Sequence, residues 1–217
     1  MTTIATRNES AGTPGIILHA AAGYDLLLWL LTLGREASFR DKMLRFAALQ
    51  PGESVLDIGC GTGTLAIAAK RQVGRAGVVS GVDASAEMLA RAEKKARSLG
   101  VEILFKNGSA QSLPFSAAQF DVVLSTMMLH HLPKSSRREM AGEVHRVLKP
   151  GGRVLVIDFG RTGQNKRSIF DHIHGRHGRV DLKEVGDLIR SAGLRISESG
   201  AAGMRGLHFV VATVPRT

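Results

Sequence analysis

The apolar positions of this chain change period several times, from short continuous runs to helical spacing and back. Val55-Leu56-Asp57-Ile58 reads as the end of a buried strand, and a glycine-rich turn, Gly59-Cys60-Gly61-Thr62-Gly63, follows at once. Thr64 to Lys70 then reads as the first turns of a helix. Val78 to Asp83 is a second strand, with Ser85 as N-cap of a helix that runs to Leu99 and stops at Gly100. Val101–Phe105 and Phe120–Ser125 are further strands. Ser136 to Leu148 is helical, Lys149-Pro150-Gly151-Gly152 stops it, and Arg153–Asp158 is a fifth strand. Such alternation predicts a parallel sheet covered by helices on both faces. The order then breaks. A helix from Asp181 to Ala192 is followed by two strand-like runs, Leu194–Glu198 and Leu207–Val214, which predict an antiparallel hairpin at the sheet edge.

The front of the chain has a different pattern. From Pro14 to about Leu33 it is strongly apolar, notably Ile16-Ile17-Leu18 and Leu26 to Leu31. His19, Gly23, Tyr24 and Asp25 interrupt the run, which falls short of the ~20 clean apolar residues of a membrane span. A helix lying on a membrane surface, or covering a site, is the expectation. Arg35 to Leu49 is a second helix carrying Phe39, Met43, Leu44 and Phe46 on or near one face, and Pro51-Gly52 turns the chain into the first strand.

Composition narrows the class. The 217 residues suffice for one domain with a full core, and 44% are hydrophobic, which argues against disorder. Cys60 is the single cysteine, so no intrachain disulfide forms, and a reducing cytoplasm is expected. Met1 to Ala11 lacks a signal-peptide pattern. The net charge of +10 suits nucleic acid, anionic lipid or an acidic substrate, or serves solubility alone. Aromatic residues are only 5%, too few to supply stacking platforms for single-stranded nucleic acid.

The glycine turn carries the chemistry. It sits at the end of a strand, where open α/β sheets bind ligands, and glycine lets a ligand approach the backbone. A dinucleotide fingerprint needs its third glycine where Thr64 stands, and no Gly-Lys-Ser/Thr follows to make a phosphate loop. What remains is D-x-G-x-G-x-G, from Asp57 to Gly63. Asp83, about 20 residues past the turn, can accept both ribose hydroxyls of an adenosine, or merely cap the next helix. Met88, one turn into that helix, packs on an adenine face or in the core. His130 and His131, just past the fourth strand, are of the type that serves as a base near neutral pH, or that orients a loop.

These pieces resemble, in order, the class I methyltransferases that use S-adenosylmethionine (SAM). Asp57 to Gly63 is similar to their motif I. Asn107-Gly108-Ser109-Ala110-Gln111-Ser112-Leu113-Pro114-Phe115 resembles G-D-A-x-x-L-P-F, with Ser109 in place of the acid that holds the adenine amino group, and Leu148 to Gly152 resembles L-K-P-G-G. Ala21-Ala22-Gly23-Tyr24-Asp25-Leu26-Leu27 resembles the front region of the ubiquinone/menaquinone-biosynthesis group, which folds over the SAM site. The resemblance implies a single α/β domain: a Rossmann-like, doubly wound, mostly parallel sheet of seven strands. It divides into a helical lid (1–49), a SAM-binding core (50–160), and a basic loop, helix and hairpin (161–217). It implies SAM as cofactor, with S-adenosylhomocysteine as product. Asp57, Gly59, Cys60, Gly61, Gly63, Asp83, Ala84, Met88, Ser109, Ala110, Gln111, Thr126 and Met127 would hold the cofactor, and His130 and Tyr24 would face the chemistry.

The acceptor is less defined. Where quinone-methylating relatives carry a longer insert, this chain has a short basic stretch with Arg161, Lys166, Arg167, Arg176 and Arg179. Within it, Asp171-His172-Ile173-His174 and His177 have metal-ligand spacing, but the neighbouring arginines repel a cation, so a solvated loop and no metal are expected. An apolar front helix beside a basic rim suits a small hydrophobic or amphiphilic acceptor. The protein is then expected as a monomer or homodimer in the cytoplasm, in peripheral contact with a membrane at most, and nucleic acid is not the expected partner.

Overall fold

The computed structural model of the protein describes residues 36–161, 180–203 and 206–216. The front helix expected from Pro14 to Leu33, Tyr24 within it, and the basic histidine-bearing stretch 162–179 lie outside the described residues.

In chain order the elements are α1 (Glu36–Ala47), β1 (Ser54–Ile58), α2 (Thr64–Val73), β2 (Val78–Asp83), α3 (Ala86–Ser98), β3 (Leu104–Asn107) and β4 (Phe120–Thr126). A 3₁₀ turn follows at Leu129–His131. Then come α4 (Lys134–Val147), β5 (Leu148–Arg161), the two-residue β6 (Val180–Asp181), α5 (Leu182–Ser191), β7 (Arg195–Ala201) and β8 (Leu207–Thr213). The sheet order is β3-β2-β1-β4-β5-β8-β7, with β6 attached to β5. β1 runs parallel to both β2 and β4, so the order reverses direction at β1 and leaves a crevice beyond its C-terminal end. β8 pairs antiparallel with β5 and with β7, which is the expected hairpin, inserted so that β7 forms the edge.

Alternation along the strands divides the core in two. Leu56, Ile58, Val123, Val154 and Val156 face α4 and α5. Val55, Val79, Leu124, Leu155 and Ile157 face α1 and α2. On that second face Met43, Leu44 and Ala47 of α1 are fully buried, and Phe46 stacks on Phe209 of β8 with centroids 3.9 Å apart. Arg153 of β5 anchors the same helix. Its guanidinium donates to the carbonyls of Ala47 and Ala48, which lie past the last helical hydrogen bonds, and to the Glu53 carboxylate at 2.7 and 2.9 Å.

Among the boundaries that differ from the sequence reading, two have a clear local reason. The third strand is offset toward Asn107. Gly100, at φ 63°, turns the Val101 N–H back onto the Ala96 carbonyl, so Val101 closes α3 instead of entering the sheet. The fifth strand starts earlier than Arg153, because Gly151 and Gly152 exchange backbone hydrogen bonds with Val214 and extend the ladder back to Leu148.

Candidate functional site

At the crevice beyond β1, the glycine turn is tied to the end of the neighbouring strand. Gly59 and Cys60 both donate backbone N–H groups to the Val82 carbonyl, and Gly61 donates to Asp83 Oδ2 at 2.8 Å. The other oxygen of Asp83 accepts the Ser85 N–H at 2.9 Å, while the Ser85 hydroxyl caps α3 by accepting from Met88. Sequence reasoning offered ribose binding and helix capping as alternatives for Asp83. The carboxylate in fact organises both the turn and the helix entrance, and still lines the cleft. Burial raises its pKa, opposed by those two N–H donors.

Asp57 is the second carboxylate. It is 1% exposed, and its Oδ2 has no hydrogen-bond partner among the described residues. Burial pushes its pKa up to about 7. Arg40 of α1 pulls it down and Asp83 adds to the rise. A buried carboxylate oxygen without a donor is expensive to maintain and marks a place where a donor is to arrive. Arg40, itself buried, lines the same cleft.

The cleft has a cavity volume of about 140 Å³. Every cofactor residue expected from the sequence lines it except Gly63. Ser109, Ala110 and Gln111 form the wall after β3, and Ala84 and Met88 the wall after β2. Asn107, which the motif comparison did not single out, fastens these two walls together: its amide donates to the carbonyls of Asp83 and Ala84. Thr126 and Met127 close the side at β4, where Met127 holds φ at 51° and donates its N–H to Ile157 at 2.7 Å. Cys60 is also on the wall, but burial, reinforced by the charges of Asp57 and Asp83, pushes its thiol pKa well up, away from a nucleophilic thiolate.

Gly61 and Gly63 do different work. A Cβ at Gly61 would meet nothing within 4 Å, so this position keeps the cleft open to a ligand. A Cβ at Gly63 would lie 2.8 Å from the Ala92 Cβ and 2.9 Å from the Phe105 ring. Gly63 therefore lets α3 and β3 close on the turn. Lys95 of α3 fastens that contact by donating to the hydroxyls of Thr62 and Thr64.

The two histidines part company. His130 is buried and lies outside the cleft lining, and its Nδ1 is 2.7 Å from Asp158 Oδ1. His131 lines the cleft. Among the described residues there is no cluster of three or more His, Cys, Asp or Glu side chains that could hold a metal ion, and no helix long and apolar enough to cross a membrane.

Comparison with known proteins agrees with this geometry. A family model described as a methyltransferase domain matches residues 55–152. A demethylmenaquinone methyltransferase from Lactobacillus johnsonii is 36% identical over 145 residues, 66% of this chain and 59% of the relative. A ubiquinone/menaquinone biosynthesis C-methyltransferase, UbiE, from Bdellovibrio bacteriovorus is 33% identical over 171 residues, 78% of this chain and 69% of the relative. The chain belongs to the class I SAM-dependent methyltransferase family. It spans about three fifths of the length of the Lactobacillus relative. The fold of this family member is also that of a SAM-dependent methyltransferase from Aquifex aeolicus, with a TM-score of 0.69 at 24% identity, covering 81% of this chain and 89% of the other. SAM is the family's cofactor, and the donor set fits it. The methionine end carries an ammonium, which an unpartnered buried carboxylate oxygen beside an open glycine turn is suited to receive.

Proposed function

We propose that the protein binds SAM in this cleft and transfers its methyl group to a small, hydrophobic or amphiphilic acceptor of the quinone kind. The observation that carries the reading is the pair of buried carboxylates on either side of the glycine turn, Asp57 with an unpartnered oxygen and Asp83 already held by two backbone donors. In this reading Asp57 accepts the ammonium and Arg40 pairs with the methionine carboxylate. Asp83 accepts the ribose hydroxyls, and the wall of Met88, Ser109, Ala110 and Gln111 receives the adenine. Bound there, SAM supplies an electrophilic methyl group on a sulfonium, open to in-line attack. The protein's contribution is position: the cleft holds the nucleophile and the methyl group in near-attack geometry and excludes water.

The acceptor class rests on the names of the relatives, a demethylmenaquinone methyltransferase and a ubiquinone/menaquinone biosynthesis C-methyltransferase, and on the apolar side of the cleft at β4, where Met127, Met128 and Leu132 stand. Such an acceptor places the protein in the cytoplasm or at a membrane surface.

Two measurements test the reading. Titration with S-adenosylhomocysteine should give binding heat, and NAD should give none. Transfer of label from methyl-labelled SAM into lipid, small-molecule and RNA pools of a cell extract should mark the lipid pool. Label confined to RNA, with tight RNA binding that weakens steeply with salt, would favour the rival RNA-methylating reading. Binding of S-adenosylhomocysteine without transfer to any pool would leave a non-catalytic member of the fold.

A further inference from the structure

The turn that carries His131 is held on both sides by groups that the cofactor site does not use. From below, the Asp158 carboxylate, buried at the far end of β5, takes the His130 backbone N–H at Oδ2 (3.2 Å) and the His130 ring Nδ1–H at Oδ1 (2.7 Å). The same Oδ1 accepts the Phe159 N–H at 2.7 Å, so the carboxylate itself is fixed. From the side, Arg137 of α4 donates to the carbonyls of Leu129 and Leu132, and Glu184 of α5 receives its other end at 3.2 Å. The His130 and His131 rings are 3.9 Å apart between centroids. His130 is thus locked in tautomer and in place by a carboxylate, and its face supports the imidazole that reaches the cleft.

A buried Asp–His pair of this kind is more than loop packing requires, since an apolar residue at 130 would fill the same space without two desolvated polar groups. The arrangement has the logic of a base oriented by a second group and that group by a carboxylate, transmitted here by ring contact rather than by a hydrogen bond to the base. We infer that His131 is the base that removes the acceptor's proton, and that Asp158 and His130 are its positioning pair. The inference rests on the methyl-transfer reading above. For a hydroquinone acceptor, the O–H proton passes to the His131 imidazole. The phenolate's electron pair, delocalised onto the unsubstituted ring carbon beside it, forms the bond to the methyl carbon, the carbon–sulfur pair stays on sulfur, and loss of that ring carbon's proton to solvent restores the aromatic hydroquinone. His131 later returns the proton to solvent.

The test uses the full-length protein with a short-chain 2-prenyl-1,4-naphthohydroquinone as probe. Replacing His131 by Ala (His131→Ala) should lower kcat on the order of a hundredfold. The KM for SAM and the heat of S-adenosylhomocysteine binding should stay near those of the wild type, and added imidazole should restore part of the rate. Asp158→Asn should also lower kcat with little effect on KM. In spectra of the protein labelled with ¹⁵N-histidine, Asp158→Asn should move the ring nitrogens of His131 as well as those of His130. A wild-type protein that binds S-adenosylhomocysteine but does not methylate the probe removes both the acceptor reading and this role. An active wild type matched in rate by His131→Ala removes the role alone. If Asp158→Asn shifts only His130, the pair packs the turn and positions nothing.

Discussion

Gly61 and Asp83, 22 residues apart in the chain, are joined by a 2.8 Å hydrogen bond from backbone N–H to Oδ2. The carboxylate assigned to the ribose thus also shapes the turn assigned to the methionine end. Replacing it should damage both halves of the cofactor site. Asp83→Ala should weaken S-adenosylhomocysteine binding by about 2–3 kcal/mol, the range of a hydrogen bond to a charged group, with some loss of stability because Gly61 and Ser85 lose their acceptor. Isothermal calorimetry beside thermal unfolding checks both.

Asp57 gives the site a pH dependence of definite sign. Its folded pKa of about 7 lies above the ordinary 3.8, so the native state keeps a proton that the unfolded chain has released between those values. Stability from this group is therefore present at low pH and is lost as pH rises through 7. Ligand binding runs the other way, because an ammonium selects the ionised form. Affinity for S-adenosylhomocysteine should fall as pH drops below 7, with proton release on binding, visible as buffer-dependent heat. Asp57→Asn should raise the melting temperature of the free protein at pH 8 and abolish this proton release.

The glycines separate binding from folding. Gly63→Ala places a Cβ against Ala92 and Phe105 at a φ of 75° and should cost about 2–4 kcal/mol of stability. Gly61→Ala meets open space, so its stability cost should be nearer ~1–2 kcal/mol, the left-handed backbone penalty alone. It should instead weaken cofactor binding, since its new methyl enters the cleft. Equal losses of binding and of stability in the two variants would contradict this division.

Arg153 tests how the cleft depends on the back of the sheet. It lies outside the cleft lining, yet it holds the C-terminal end of the helix that brings Arg40 to Asp57. Arg153→Met should cost about 2 kcal/mol of stability, because the Ala47 carbonyl loses its donor and the Glu53 carboxylate loses its ion pair. It should also weaken S-adenosylhomocysteine binding several-fold, although no residue of the cleft has changed.

Much of this was legible in the sequence, because the glycine turn, the acid after β2 and the stretch after β3 each announce themselves by fixed spacing within short segments. The central strands were legible too, since residues buried on both faces leave continuous apolar runs. Arg40 was not legible. It sits on a helix without a motif, and only tertiary packing carries it to Asp57. His130 and His131 could not be separated, because they are adjacent and of one type, and only the packing of the 3₁₀ turn decides which of them reaches the cleft. The offset of β3 had the same origin. Val-Glu-Ile-Leu-Phe has strand character throughout, and only the need of α3 for a donor at its end removes Val101 from the sheet.

The stacking of Phe46 on Phe209 sets an order on biosynthesis. The glycine turn and both carboxylates emerge from the ribosome early, yet α1 rests on β8, a strand translated more than 120 residues after Asp83. Until β8 slides between β5 and β7, the helix bearing Arg40 lacks this aromatic support, and nascent chains carry a half-built cofactor cleft. A nascent chain stalled before Leu207 should therefore bind cofactor poorly, and ligand present during translation should assist only the last step of folding.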